Sequence, residues 1–238
     1  SDGGFVVTFT DQGGADGSGF GVFARRFDSS GTAVGNDFQV NTLVSSTQDQ
    51  SSVIGLDGGG FVVVFRSFTS GTAGDGDDYG IFGRLYDAGG SPLGIEFPIN
   101  TEVAGRQEEP VIGALTGGGF VVAWTSASQD ASSNGVYAQR FDSAGTAIGG
   151  EFRVNETTIN SQETPSVIGL ANGGFVIAWE DNGSLDGNGW GVFGQQYDAN
   201  GNRIDGNARL FDVKNTFIRS KKRLVGAVGV EDLIIVDT

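Results

Sequence analysis

Gly117-Gly-Gly-Phe120-Val-Val-Ala-Trp124 is the stretch that decides how this chain folds. In an extended strand successive side chains point to opposite faces. Phe120, Val122 and Trp124 then line one face, and Val121 and Ala123 line the other. A strand that is apolar on both faces must be covered on both sides. Phe175-Val-Ile-Ala-Trp179 repeats the pattern.

The same block recurs along the chain. Its Phe stands at Phe5, Phe61, Phe120 and Phe175, so the period is 56, 59 and 55 residues. Behind each copy comes a second strand-like block: Gly21-Val-Phe-Ala-Arg-Arg-Phe-Asp28, Gly80-Ile-Phe-Gly-Arg-Leu-Tyr-Asp87, Gly135-Val-Tyr-Ala-Gln-Arg-Phe-Asp142 and Gly191-Val-Phe-Gly-Gln-Gln-Tyr-Asp198. A third block ends in Asn, at Asn41, Asn100 and Asn155. A fourth reads Ser52-Val-Ile-Gly-Leu56, Pro110-Val-Ile-Gly-Ala114 and Ser166-Val-Ile-Gly-Leu170. Each block is β-branched and aromatic and is bounded by turn formers. Asp-x-x-Gly closes the second block in every unit, from Asp28 to Gly31, Asp87 to Gly90, Asp142 to Gly145 and Asp198 to Gly201. That spacing suits a type I turn followed by a left-handed glycine.

The expected fold is therefore all-β: a β-propeller of four-stranded antiparallel blades, four or five in number, with a β-solenoid as the alternative. The propeller spans 1–214, in units of about 3–45, 46–104, 105–159 and 160–214. Residues 215–238 read either as a fusion remnant that supplies strands or as a diverged blade that closes the ring. The first residues read as a cut inside a longer, or processed, chain.

Composition narrows the chemistry. There are 42 Gly, 18 Phe, and no Cys, Met or His. Disulfides, thiolate nucleophiles, Cys/His zinc sites and histidine acid–base catalysis are excluded. A net charge of −15 disfavours nucleic acid and anionic membranes. It favours a hard cation, with Ca2+ first.

Candidate ligands lie in the loop ahead of the second block. Asp11, Asp16, Asp75, Asp77, Asp78, Asp130, Asp181, Asp186 and Asn188 offer oxygen donors among glycines. Ordinary turn chemistry explains the same residues as well. Phe20, Tyr79 and Trp190 share a position at the end of that loop, where an aromatic ring can stack on a sugar or pack over a blade edge. Gln48-Asp49, Gln107-Glu108 and Gln162-Glu163 recur before the fourth block, either lining the axis or capping a bond between blades.

The ordered blocks from residue 2 to about 212 resemble tandem units of large secreted bacterial proteins that also carry hemolysin-type (RTX) calcium-binding nonapeptides. The nonapeptide itself, Gly-Gly-x-Gly-x-Asp, is absent from this sequence. The resemblance implies a secreted or cell-surface setting and an adhesin-like role. Residues 215–238 are similar to a β-rich segment of mannose-1-phosphate guanylyltransferases, without that family's nucleotide loop or metal-binding Asp. The function expected on these grounds is a non-catalytic, Ca2+-binding structural or adhesion propeller. A lectin-like glycan binder is the alternative, and a polysaccharide-acting enzyme is third. The expected partners are cell-surface or matrix glycans, with self-association if the ring is incomplete. No repeat carries a clearly unique insertion, which argued against an enzyme.

Overall fold

The computed structural model describes residues 3–17, 19–68, 78–182 and 189–204, together with the backbone of strand 208–212. These residues form four antiparallel sheets, each built from strands consecutive in the chain. The first blade holds β1 (Phe5–Asp11), β2 (Gly21–Phe27) and β3 (Ala33–Gln39). The second holds β4 (Gln48–Gly55), β5 (Phe61–Phe68), β6 (Tyr79–Tyr86) and β7 (Phe97–Pro98). The third holds β8 (Gln107–Ala114), β9 (Phe120–Ala127), β10 (Asn134–Phe141) and β11 (Ala147–Arg153). The fourth holds β12 (Gln162–Gly169), β13 (Phe175–Asp181), β14 (Gly191–Tyr197) and β15 (Ala208–Asp212). The fold is the β-propeller that the repeat predicts. The blades stack face to face, and β1, β4, β8 and β12 pack against one another at the inner side. No helix among the described residues is long and apolar enough to cross a membrane.

The double-sided strands do what their pattern requires. Phe61, Val63, Phe65, Phe82 and Tyr86 of the second blade bury against Val22, Ala24 and Val40 of the first. Phe120, Val122, Trp124, Tyr137 and Phe141 of the third bury against Val62, Val64, Ile81 and Ile99 of the second. Phe175, Ile177, Trp179, Phe193 and Tyr197 of the fourth bury against Val121, Ala123, Val136, Ala138 and Val154 of the third. One joint therefore occurs three times: a face of large rings meets a face of small and β-branched side chains. Trp124 and Trp179 are fully covered, as core residues.

The Asp-x-x-Gly turns form as their sequence predicts. Asp28 Oδ1 accepts from the backbone N–H of Ser30 and of Thr32, both at 2.9 Å. Asp142 and Asp198 hold their turns in the same way. The hydroxyl of Ser30, with the Thr32 backbone, holds the Asp28 carboxyl below its ordinary value. The closing glycines take φ of 79° to 84°, which a Cβ would strain. The same turns carry contacts between blades. Arg26 of the first blade donates to the carbonyls of Ala88 and Gly89 in the second blade's turn. Arg140 of the third donates to those of Ala199 and Asn200 in the fourth's.

Close approach of the inner strands yields a test. A methyl group on Gly169 of β12 would sit 1.9 Å from the Ala114 carbonyl oxygen of β8. At the matching position of β4, Gly55, it would meet nothing within 4 Å. Gly169→Ala is expected to destabilise by about 1–3 kcal/mol, as overpacking does. Gly55→Ala should leave the urea midpoint close to that of the parent chain.

Candidate functional site

The candidate residues that are described gather at one end of the blades, where β4, β8 and β12 begin and β5, β9 and β13 finish. Three layers of interaction build this end.

The deepest layer is a buried amide pair in each of three units. Asn41, Asn100 and Asn155 end the third block, two residues past β3, β7 and β11, and are buried. Their Oδ1 atoms accept from the backbone N–H groups of Val22, Ile81 and Val136, near the starts of β2, β6 and β10, at 2.7–2.8 Å. Their Nδ2 atoms donate to Gln48, Gln107 and Gln162 Oε1 at 3.0–3.2 Å. Those glutamines donate in turn to loop carbonyls of Ser45, Ala104 and Ile159. The recurrent Gln is thus a buried loop anchor. A buried amide left unpaired is costly, so the network pins the turn between two blades.

The second layer is a β-bulge that re-aims one residue of each inner strand. Register shifts fall between Asp49 and Ser52, Glu108 and Val111, and Glu163 and Ser166. Gln50, Glu109 and Thr164 take φ of 51°, 57° and 54° there. The Glu109 N–H donates to Gln50 Oε1 at 2.8 Å, and the Thr164 N–H donates to Glu109 Oε2 at 3.0 Å. The bond between blades expected of the Gln-acid pair is made by its acid in two units, Glu108 with Arg66 and Glu163 with Asn134, and the residue after the pair adds another.

The third layer is charged, and here the repeats differ. Each inner-strand acid faces a residue of the neighbouring strand: Asp49 faces Arg66, Glu108 faces Thr125, and Glu163 faces Glu180. Arg66 makes two 2.8 Å bonds to Asp49 and reaches Glu108 of the next blade at 3.0 Å. Burial alone would lower the Arg66 pKa, but the hydrogen bond and charge of Asp49 raise it above its ordinary value. The guanidinium also lies 4.0 Å from the Tyr79 ring centre. In the fourth blade two carboxylates stand opposite each other. Among the described residues neither Glu163 nor Glu180 forms an ion pair. Glu163 accepts only a neutral bond, from Asn134 Nδ2 at 2.9 Å, and Glu180 is exposed. Like charges placed directly opposite destabilise a sheet.

The predicted site residues divide accordingly. Asp16 and Asp130 each accept from the buried Asn of their unit at 3.3 Å. Asp11 caps its own loop, accepting from the Gly13 and Ala15 N–H groups at 3.0 Å. Asp181 is buried opposite Gln162, and Asp78 borders β6. Asp75, Asp77, Asp186 and Asn188 lie outside the described residues. Among the described residues no group of three or more acids is gathered in a way that could hold a metal ion. Tyr79 is taken up by Arg66 and by an edge contact with Phe68 at 5.0 Å. Phe20 and Trp190 remain exposed. Arg66, Glu109 and Glu180 were not expected. Their signal was a departure from the repeat at a fixed offset from the inner Gln, legible only once the register is known.

No family model and no curated relative matches the chain. Solved structures do. A protein of unknown function from Dyadobacter fermentans superposes with a TM-score of 0.62 at 12% identity, over 88% of this chain and 66% of that one. This chain thus spans just under two thirds of that protein. An α-L-arabinofuranosidase from Lactobacillus brevis matches with a TM-score of 0.51 at 13% identity, over 89% of this chain and 67% of that one. An endo-arabinase from Bacteroides thetaiotaomicron matches with a TM-score of 0.50 at 12% identity, over 89% and 81%. The expectation that the chain is not an enzyme does not stand against these neighbours. The same fold carries glycoside-cleaving proteins, so a regular repeat is no ground for excluding catalysis.

The charged layer can be tested without a substrate. Arg66→Met leaves Asp49 and Glu108, both largely covered, without their shared cation. It should lower stability by about 1–3 kcal/mol in urea melts. Arg106→Met, whose side chain is half exposed beside Glu108, should cost well under half as much.

Proposed function

We propose that this chain is a polysaccharide-acting propeller that cleaves glycosidic bonds at the inner end of its fourth blade. The observation that carries the reading is the Glu163–Glu180 pair, two carboxylates facing each other across β12 and β13 with no cation between them among the described residues. Opposed positions in an antiparallel pair hold their Cβ atoms about 4.5–5.5 Å apart. Side chains carried there can set two carboxyl groups at about 5–5.5 Å or at about 6.5–9.5 Å, the separations at which glycosidases hold their acid and their nucleophile or base. Glu163, half covered and bonded to Asn134, suits the fixed member of the pair. Exposed Glu180 suits the member that handles water or the leaving group. Trp190 lies exposed at the start of β14, where its ring can carry a sugar face. The fold shared with an endo-arabinase and an α-L-arabinofuranosidase supports a furanose- or pyranose-rich polymer as substrate.

The test is release of reducing ends from arabinan and from a panel of other polysaccharides. The parent chain should act on at least one. Glu163→Gln and Glu180→Gln should each lower that rate by a factor of about 100 or more, with unchanged circular dichroism. No release from any polymer, or full activity in both variants, would overturn the reading. Trp190→Ala should raise KM more than it lowers kcat.

A further inference from the structure

At one loop position the third repeat departs from the other three. Phe20, Tyr79 and Trp190 stand immediately before Gly21, Gly80 and Gly191, but the third unit places Asn134 before Gly135. A second departure lies nearby. Arg66 of β5 has Thr125 as its counterpart in β9, each opposite the acid of its own inner strand. The two changes act together at the joint with the next blade. From the second blade Arg66, lying over the Tyr79 ring, reaches forward to Glu108 of the third. From the third blade Asn134 reaches forward instead, and its Nδ2 donates to Glu163 Oε2 of the fourth at 2.9 Å. A cation is thus exchanged for a neutral donor at the joint whose acid faces a second acid.

The backbone beside Glu163 is held from the same side. Glu109 Oε2 accepts from the Thr164 N–H at 3.0 Å and from Thr125 Oγ1 at 2.9 Å. Thr125 is buried and Asn134 half-buried, so packing restrains both donors. The strands packed against β12 bring no cation to this end. Their ionisable groups here are Glu108 and Glu109 of β8, Glu180 and Asp181 of β13, and Tyr137 of β10, whose phenol burial pushes up. Strand β9 carries none, and Arg140 of β10 lies at the far end, level with Val121.

We propose that Asn134 is a positioning residue for the activity inferred above, on which this assignment rests: it holds the Glu163 carboxylate in place without neutralising it. An arginine at this joint would bind Glu163 as Arg66 binds Glu108, and would cancel the charge that a base or nucleophile uses. An amide N–H fixes one carboxylate oxygen and adds no charge. It also favours the ionised form, because an ionised carboxylate can only accept. Glu163 then enters the reaction as the carboxylate of the pair, and exposed Glu180 brings the proton.

The test reads Glu163 directly, by carbon-13 NMR titration of the full chain labelled at its glutamate carboxyl groups. The Glu163 signal is the one lost in Glu163→Gln. Asn134→Asp keeps the shape but turns the donor into an acceptor of like charge, and should raise the Glu163 midpoint by about one pH unit or more. Asn134→Ala should raise it less. Asn200→Asp adds the same charge at the other end of the blades and should leave it unchanged. In sugar release, Asn134→Ala should lower kcat by a factor of about 10–100 with KM near that of the parent. In Asn134→Asp the acidic limb of the pH–rate profile should move up with the titration. A merely structural asparagine would lower the urea midpoint in both variants and leave the Glu163 titration in place, and that result overturns the proposal. So do an unchanged kcat and pH profile in both variants of a chain that Glu163→Gln inactivates, which leaves the Glu163–Glu180 reading intact. A midpoint that rises in a chain that releases no sugar supports the hold of Asn134 on Glu163 and overturns the cleavage reading alone.

Discussion

A β-strand with apolar side chains on both faces has no stable place at the surface of a protein. Phe120-Val-Val-Ala-Trp124 carries this constraint, and the rest of the architecture follows from it. One sheet can cover only one face of another, so each blade needs two neighbours. Rings on one face and small residues on the other make every blade complementary to the next copy of itself. Stacking can then continue for as long as repeats are supplied.

Polar groups fix the angle and depth of that stacking. The Asn–Gln pairs tie the end of one unit to the start of the next, and the bulged residues bond across the inner strands. Arginines clamp the outer turns. Hydrophobic contact is non-directional, whereas these bonds have defined donors and acceptors, so they set register and leave the apolar faces to supply the energy.

Against this regular background the informative positions are those where the units diverge. Asp49 meets an arginine, Glu108 a threonine, and Glu163 another glutamate, all at one site in the repeat. The shared scaffold keeps the backbone geometry nearly constant while the chemistry changes from a neutralised ion pair to two facing acids. Function in repeat folds is expected at such departures, since positions needed for packing must stay alike.

Much of the fold was legible in advance. The period, the four blocks, the Asp-x-x-Gly turns and the buried tryptophans all follow from local residue chemistry and from side-chain alternation. The loop acids Asp16 and Asp130 were read as possible metal ligands, and nothing in their own segment points to the Asn 25 residues further on that they bond. The Glu163–Glu180 pair was equally hidden. The two are 17 residues apart, and a bulge shifts the pairing between them, so counting along the strand does not bring them together.

By itself the sequence determined the β-class, the repeat length and the need to bury both faces of the second strand, because these depend on the alternation and turn preference of neighbouring residues. Only the tertiary structure decided which carboxylates share a cation and which face each other. Those outcomes depend on distances between residues far apart in the chain, and they are set by cross-strand register and by the packing of one blade on the next.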